Sequence, residues 1–233
     1  MFPIRDTIRS ERRPVVTWTL IAANVAVFAY QLSLPEARLE EFFYLYGIVP
    51  RRFSHPAWAA YVGFPRGIVL WPFFTSMFLH GGWLHIVSNM WTLWIFGDNV
   101  EDRMGRLRFL AFYLLCGTLS GVTHFFSNLN SPVPTIGASG AIAGVLGAYF
   151  ILFPLARIVT VVPIFFFPVV VEIYAFFYLI FWFFSQFFVG TMSLLAQGQG
   201  GGGIAWWAHV GGFLAGAFLH KKFLKRRYRI RWV

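Results

Sequence analysis

The chain has 233 residues, 58% hydrophobic and 21% aromatic, with only 12% charged and a net charge of +10. A soluble domain carries roughly 25% charged residues, so this chain cannot cover itself for water and reads as a membrane protein. Its basic residues sit in tails and short loops between apolar runs, which reports topology rather than a nucleic-acid-binding face, and the lone Cys116 excludes a disulfide framework or a cysteine-based metal site.

Residues 1–14, with Arg5, Arg9, Arg12 and Arg13, read as a basic tail that lacks the apolar stretch and cleavage site of a signal peptide. Six apolar segments follow, judged against the ~20 residues a spanning helix needs. The first covers residues 15–34. Residues 35–79 mix prolines, arginines and aromatics and predict a long first loop with short interfacial helices. The second span is 83–96, closed by a polar turn over 97–105, and the third is 109–126. A polar loop then leads into Gly137-Ala138-Ser139-Gly140 and the fourth span, 139–153. Residues 158–167, β-branched and containing Pro163, read as extended or interfacial. The fifth span is 169–189, rich in aromatic rings; a glycine-rich loop over 190–203, the sixth span over 204–219 and a basic tail over 220–233 complete the chain.

Arginine and lysine orient these spans. The N-tail, the loop over 97–108 (Arg103, Arg106, Arg108) and the C-tail (from Lys221 to Arg231) are basic, whereas loops 127–136 and 190–203 carry no Lys or Arg. Both termini are therefore expected in the cytoplasm, and the first loop, despite Arg38, Arg51, Arg52 and Arg66, outside. The fold class expected is an all-α polytopic membrane protein with six transmembrane helices and a long first extracytoplasmic loop.

This topology puts polar residues of three spans at one depth. His85 and Asn89, four apart on one face of the second span, lie in its outer half; Ser139 opens the fourth, and His209 lies near the top of the sixth. Intramembrane polar groups are costly and mark function by default. Ser139, Ala143 and Gly147 share one helical stripe, and His209, Gly212 and Gly216 another, so small residues let the two helices approach closely. Ser139 alone reads as a helix N-cap; together with the other three it reads as a nucleophile. His209 is then the general base and acid, with His85, Asn89 and the Ser139 backbone N–H as oxyanion donors. No acidic residue lies near His209 in sequence, which favours a dyad over a triad.

The motifs His85-x-x-x-Asn89, Gly97-x-x-x-Glu101-x-x-x-Gly105, Gly137-x-Ser139-Gly140 and Ala208-His209-x-x-Gly212-x-x-x-Gly216 together resemble the rhomboid family of intramembrane serine proteases, over about residues 18–219. The resemblance implies a six-helix rhomboid-like domain over 15–219, a Ser139–His209 dyad, and His85 and Asn89 at the oxyanion. It also implies cleavage of transmembrane protein substrates near the extracytoplasmic surface of a prokaryotic cell (inner) membrane. Transmembrane substrates and membrane lipids are the partners expected, with no cofactor, metal or nucleic acid. Two positions depart from patterns seen in the family: Trp71-Pro72 stands where some bacterial members carry Trp-Arg in the first loop, and Ala143 stands where a tyrosine often stacks on the histidine. Helix packing alone is then expected to hold the dyad. The competing functions are a non-catalytic relative that binds transmembrane clients and, from another class, a small transporter. A transporter would carry its polarity at mid-membrane, often in repeated halves.

The remaining polar residues read as structural. His80 is expected to bond its loop, His124 to serve the outer end of the third span, and Glu101 to satisfy backbone donors in its own loop. Glu172 either pairs with Arg157 at the interface or is protonated.

Overall fold

The computed structural model describes residues 2–65, 69–165, 167–195 and 205–225. The glycine-rich loop from 196 onward, Arg66, and the C-tail from Arg226 fall outside those residues. The described chain is mostly helical, and its long helices lie close to the apolar segments read from the sequence. The first, third and fourth become α1 (Val15–Ser33), α7 (Arg106–Ser127) and α8 (Ser139–Leu152). The first loop forms short helices α2 (Glu36–Tyr46), α3 (Pro50–Ser54), α4 (Pro56–Tyr61) and α5 (Pro72–Thr75), followed by a 3-10 turn over Ser76–Phe78. Proline opens α3, α4 and α5, where its missing N–H costs nothing. Pro72 thus starts a helix, and an arginine of the same loop is buried. Arg52, 5% exposed, lies over the Phe64 ring at 4.8 Å.

By length and apolar composition α1 and α7 suffice to cross a membrane; Ser139–Leu152 and Ala175–Val189 are apolar but shorter. α8 is the centre of the bundle, packed on α6 (Trp83–Met104), α7 and α10 (Trp206–Phe223). It is apolar on every side, and Gly140 through Tyr149 are all buried, as a helix with no polar face requires. Its glycines decide how close its neighbours come. A Cβ on Gly212 would strike the Gly140 carbonyl, and one on Gly216 the Gly144 carbonyl. On the α7 side, Gly140 and Gly144 leave room for Ser120 and Cys116. α8 and α10 therefore touch backbone to backbone.

Several sequence expectations fail. The polar turn over 97–105 is helical: α6 continues to Met104 and stops at Gly105, whose φ of +84° suits glycine. Glu101 consequently reaches α1 rather than its own loop, accepting bonds from Val16 N–H (3.0 Å), Thr17 N–H (2.8 Å) and the Thr17 hydroxyl (2.8 Å). It caps a helix whose own N-cap, Pro14, has no side chain able to do so. The fold is also not all-α. β1 (Phe2–Asp6), β2 (Arg157–Ile164) and β3 (Phe167–Tyr174) form an antiparallel sheet in the order β1-β2-β3. The basic N-tail therefore contributes a strand, and the fifth apolar segment begins as strand, its helix α9 running only over Ala175–Leu195. On the hairpin, Arg157 bonds Glu172 at 2.9 Å, the first of the two readings for that carboxylate.

The C-tail likewise begins as helix. α10 runs to Phe223, and Lys225 bonds the Asp102 carbonyl and lies 3.8 Å from its carboxylate. At the same end, Asp6 accepts from Tyr149 (2.6 Å) and Asn99 (2.7 Å), fastening β1 to α8 and α6. Burial, with the Asp98 carboxylate nearby, raises the Asp6 carboxyl to about 6.

Candidate functional site

Gly137 turns the chain into α8. Its φ of +125° is glycine territory, its N–H donates to the Ser76 carbonyl at 2.8 Å, and a Cβ there would meet the His85 ring. The N-cap is Ala138, and no side chain caps this helix, so Ser139 does not do so. Its hydroxyl instead lies 2.8 Å from His209 Nε2. The α8–α10 glycine contact brings them together, because His209 lies one turn before Gly212 on α10.

His209 is 8% exposed, and its other ring nitrogen, Nδ1, lies 2.7 Å from Gln186 Oε1 on α9. An amide oxygen can only accept, so Nδ1 carries the proton, and in the neutral ring Nε2 presents a lone pair to Ser139. Two rings fix the imidazole from the sides: Trp182 tilted at 33° with centroids 6.0 Å apart, and Trp206 edge-on at 6.1 Å. The expectation that helix packing alone holds this pair is thereby corrected. Gln186 was not singled out in the sequence, although a lone amide in a run of phenylalanines is the kind of costly polar group that needs a partner.

His85 and Asn89 approach from α6. The Gly81 N–H donates to His85 Nδ1 at 3.3 Å, leaving the proton on Nε2, the nitrogen nearest Gly137. Asn89 Nδ2 donates to His80 Nε2 at 3.0 Å. His80, 1% exposed, is thus closer to the site than the sequence suggested. Burial and the neighbouring His85 push it down to about 4, which keeps it neutral and accepting. Its backbone is pinned to α1 through both polar atoms of the Gln31 amide, at 2.7 and 3.1 Å. His124 bonds Thr135 at 2.6 Å and ties the loop before α8 to α7. A cavity of about 750 Å³ opens over these groups, with His85, Asn89, Ser139 and His209 in its wall. A serine hydroxyl against a neutral imidazole, with imidazole and amide donors across a cavity, is equipped for acyl transfer.

Residues 68–226 match the Rhomboid domain family. Among curated proteins, the chain is 42% identical to Rhomboid protease GluP of Bacillus subtilis over 78 residues, 34% of this chain and 15% of that protein. It is 37% identical over 89 residues to Presenilin-associated rhomboid-like protein A, mitochondrial, of Danio rerio, covering 37% and 23%. With Rhomboid protein 1, mitochondrial, of Saccharomyces cerevisiae it shares 36% over 98 residues, covering 40% and 27%. Each match thus spans about a quarter or less of the relative. The Rhomboid match itself runs from before the 3-10 turn ahead of α6 to beyond the end of α10, taking in His85, Asn89, Ser139 and His209 together, and on that span the chain belongs to the rhomboid family.

Proposed function

We propose that this chain is an intramembrane serine endopeptidase that cleaves transmembrane protein substrates near the extracytoplasmic surface through Ser139 and His209. The observation that carries the reading is the 2.8 Å approach of His209 Nε2 to the Ser139 hydroxyl at the wall of an open cavity. His209 takes the hydroxyl proton as Ser139 Oγ bonds to the scissile carbonyl carbon, and the carbonyl electron pair moves onto oxygen. His85 Nε2–H, the Asn89 amide and the Ser139 backbone N–H are the donors for that charge. The proton then passes to the leaving amine as the C–N bond breaks, and water, deprotonated by the same imidazole, releases the acyl group. The name of the GluP relative, a rhomboid protease, agrees with this chemistry.

The reading includes six spans, with both termini in the cytoplasm of a prokaryotic cell and its inner membrane as the site. Arg12, Arg13, Arg106, Arg108 and Lys225 gather around one cavity at the end of the bundle away from Ser139, which supports that orientation. The test is labelling of Ser139 by a fluorophosphonate in detergent, with cleavage of a transmembrane substrate in parallel. Wild type labels and cleaves, while Ser139→Ala and His209→Ala purify folded and do neither. Normal turnover by either variant rejects the dyad.

A further inference from the structure

Among the described residues, Gln186 is the amide whose partners run from α9 into the proposed dyad, and its orientation is dictated at both ends. The Ser185 hydroxyl donates to the Trp182 carbonyl at 2.6 Å, which commits its only proton. Ser185 Oγ can then only accept, and it does so from Gln186 Nε2 at 3.0 Å. With the NH2 group on that side, Gln186 Oε1 faces His209 Nδ1 at 2.7 Å. The amide assignment follows from the network rather than from choice. Each donor points along one line: Ser185 to the Trp182 carbonyl, Gln186 to Ser185, His209 to Gln186, and Ser139 to His209.

The geometry points to Gln186 as the positioning residue of the base, held by Ser185, in the role a carboxylate plays in a Ser-His-Asp triad. This rests on the reading of Ser139 and His209 as nucleophile and base. Gln186 and His209 are each 8% exposed, so the bond between them is largely buried. The titratable groups acting on His209 from neighbouring helices are His85 of α6 and His124 of α7, both imidazoles and neither a carboxylate. An amide acceptor selects the tautomer, as a carboxylate would, but adds no negative charge to stabilise the imidazolium. The arrangement also makes the base depend on α9: if that helix shifts outward, Nδ1 loses its acceptor, and the proton is free to sit on Nε2, where it blocks the attack.

The experiment measures the rate of Ser139 labelling by a fluorophosphonate across pH 5–9, and kcat and KM for a transmembrane substrate, in the full-length protein. Gln186→Leu keeps the bulk and removes the acceptor; its labelling rate and kcat are expected to fall by about 10- to 100-fold with KM within about twofold, less than the ~10⁴ of a lost triad carboxylate. Gln186→Glu keeps an acceptor and adds charge, so it should retain activity and move the acid limb of the rate profile to higher pH. Ser185→Ala frees the amide to turn and should lower the rate by a few-fold with KM unchanged. Should Gln186→Leu fail to fold, the other two variants decide. A labelled wild type with Gln186→Glu unshifted and Ser185→Ala at the wild-type rate overturns the role of Gln186 and leaves the dyad standing. A wild type that does not label Ser139 at any pH overturns the dyad, and the role of Gln186 with it.

Discussion

Adding one methyl group at Gly212 should silence the protein while leaving it folded. The methyl carbon would overlap the Gly140 carbonyl oxygen and lie 3.3 Å from the Ala143 methyl, and neither neighbour can rotate away. Restoring ordinary van der Waals separation requires α8 and α10 to part by about 1 Å. His209 is one turn away on the same rigid helix, so the 2.8 Å contact with Ser139 opens to about 3.8 Å, outside hydrogen-bonding range. Overpacking of this kind costs about 1–3 kcal/mol, which a bundle of this size survives. A misplacement of ~1 Å at the reacting atoms costs on the order of 10²-fold in rate. Gly212→Ala should therefore melt a few degrees below wild type and label with fluorophosphonate about a hundred times more slowly. Leu214, 40% exposed on the same helix, supplies the control: Leu214→Ala should label normally. A Gly212→Ala protein with wild-type labelling would refute the claim that backbone contact sets the dyad distance.

Asn89→Ala removes a donor needed mainly in the transition state, so kcat for a transmembrane substrate should fall about 10-fold or more while KM holds; an unchanged kcat with a raised KM would make Asn89 a docking residue instead. Asp6, raised to about 6 from 3.8, binds its proton more tightly when folded. Its contribution to stability is full below about pH 4 and lost as pH rises through about 6, so Asp6→Asn should gain thermal stability relative to wild type across that window. A stability difference that does not change with pH would refute this. Phe187, 42% exposed, meets Trp207 edge-on at 5.6 Å and so links α9 to α10. Phe187→Val should raise cleavage of a transmembrane substrate more than that of a soluble peptide, and an unchanged ratio would dismiss α9 as the entry route. Trp182→Val is a poorer probe of entry, since Trp182 also packs on His209.

The helices were legible because spans in lipid must be long and apolar, and the meeting of Ser139 with His209 was legible because small residues recur at helical spacing on both partners. The strands were hidden for a related reason. Phe167 to Tyr174 is an apolar, β-branched run joined without a break to the rings of α9, and periodicity cannot separate a short strand from a helix there. Phe2 to Asp6 is too short to show alternation and finds its partner only in distant β2. Residue 97 reads as a turn in the sequence, but it is the point where α6 closes on Thr17 of α1: a Cβ added at Gly97 would lie 3.0 Å from the Thr17 methyl. Gln186 gave no comparable signal: it stands among the aromatic rings of α9 with no polar residue three or four positions away and no small-residue stripe beside it.

The pairing of Phe2 with Val161 and of Asp6 with Ile158 also has a temporal meaning. β1 is made first, yet its partner strand emerges roughly 150 residues later, about 8–30 s at ~5–20 residues per second. Throughout that interval the first strand has no sheet to join, and the Asp6 carboxyl has neither Tyr149 nor Asn99 until α6 and α8 exist. The opening residues of the chain are thus among the last to reach their native place, so a ribosome-bound intermediate halted before β2 should leave them open to protease, and the finished protein should not.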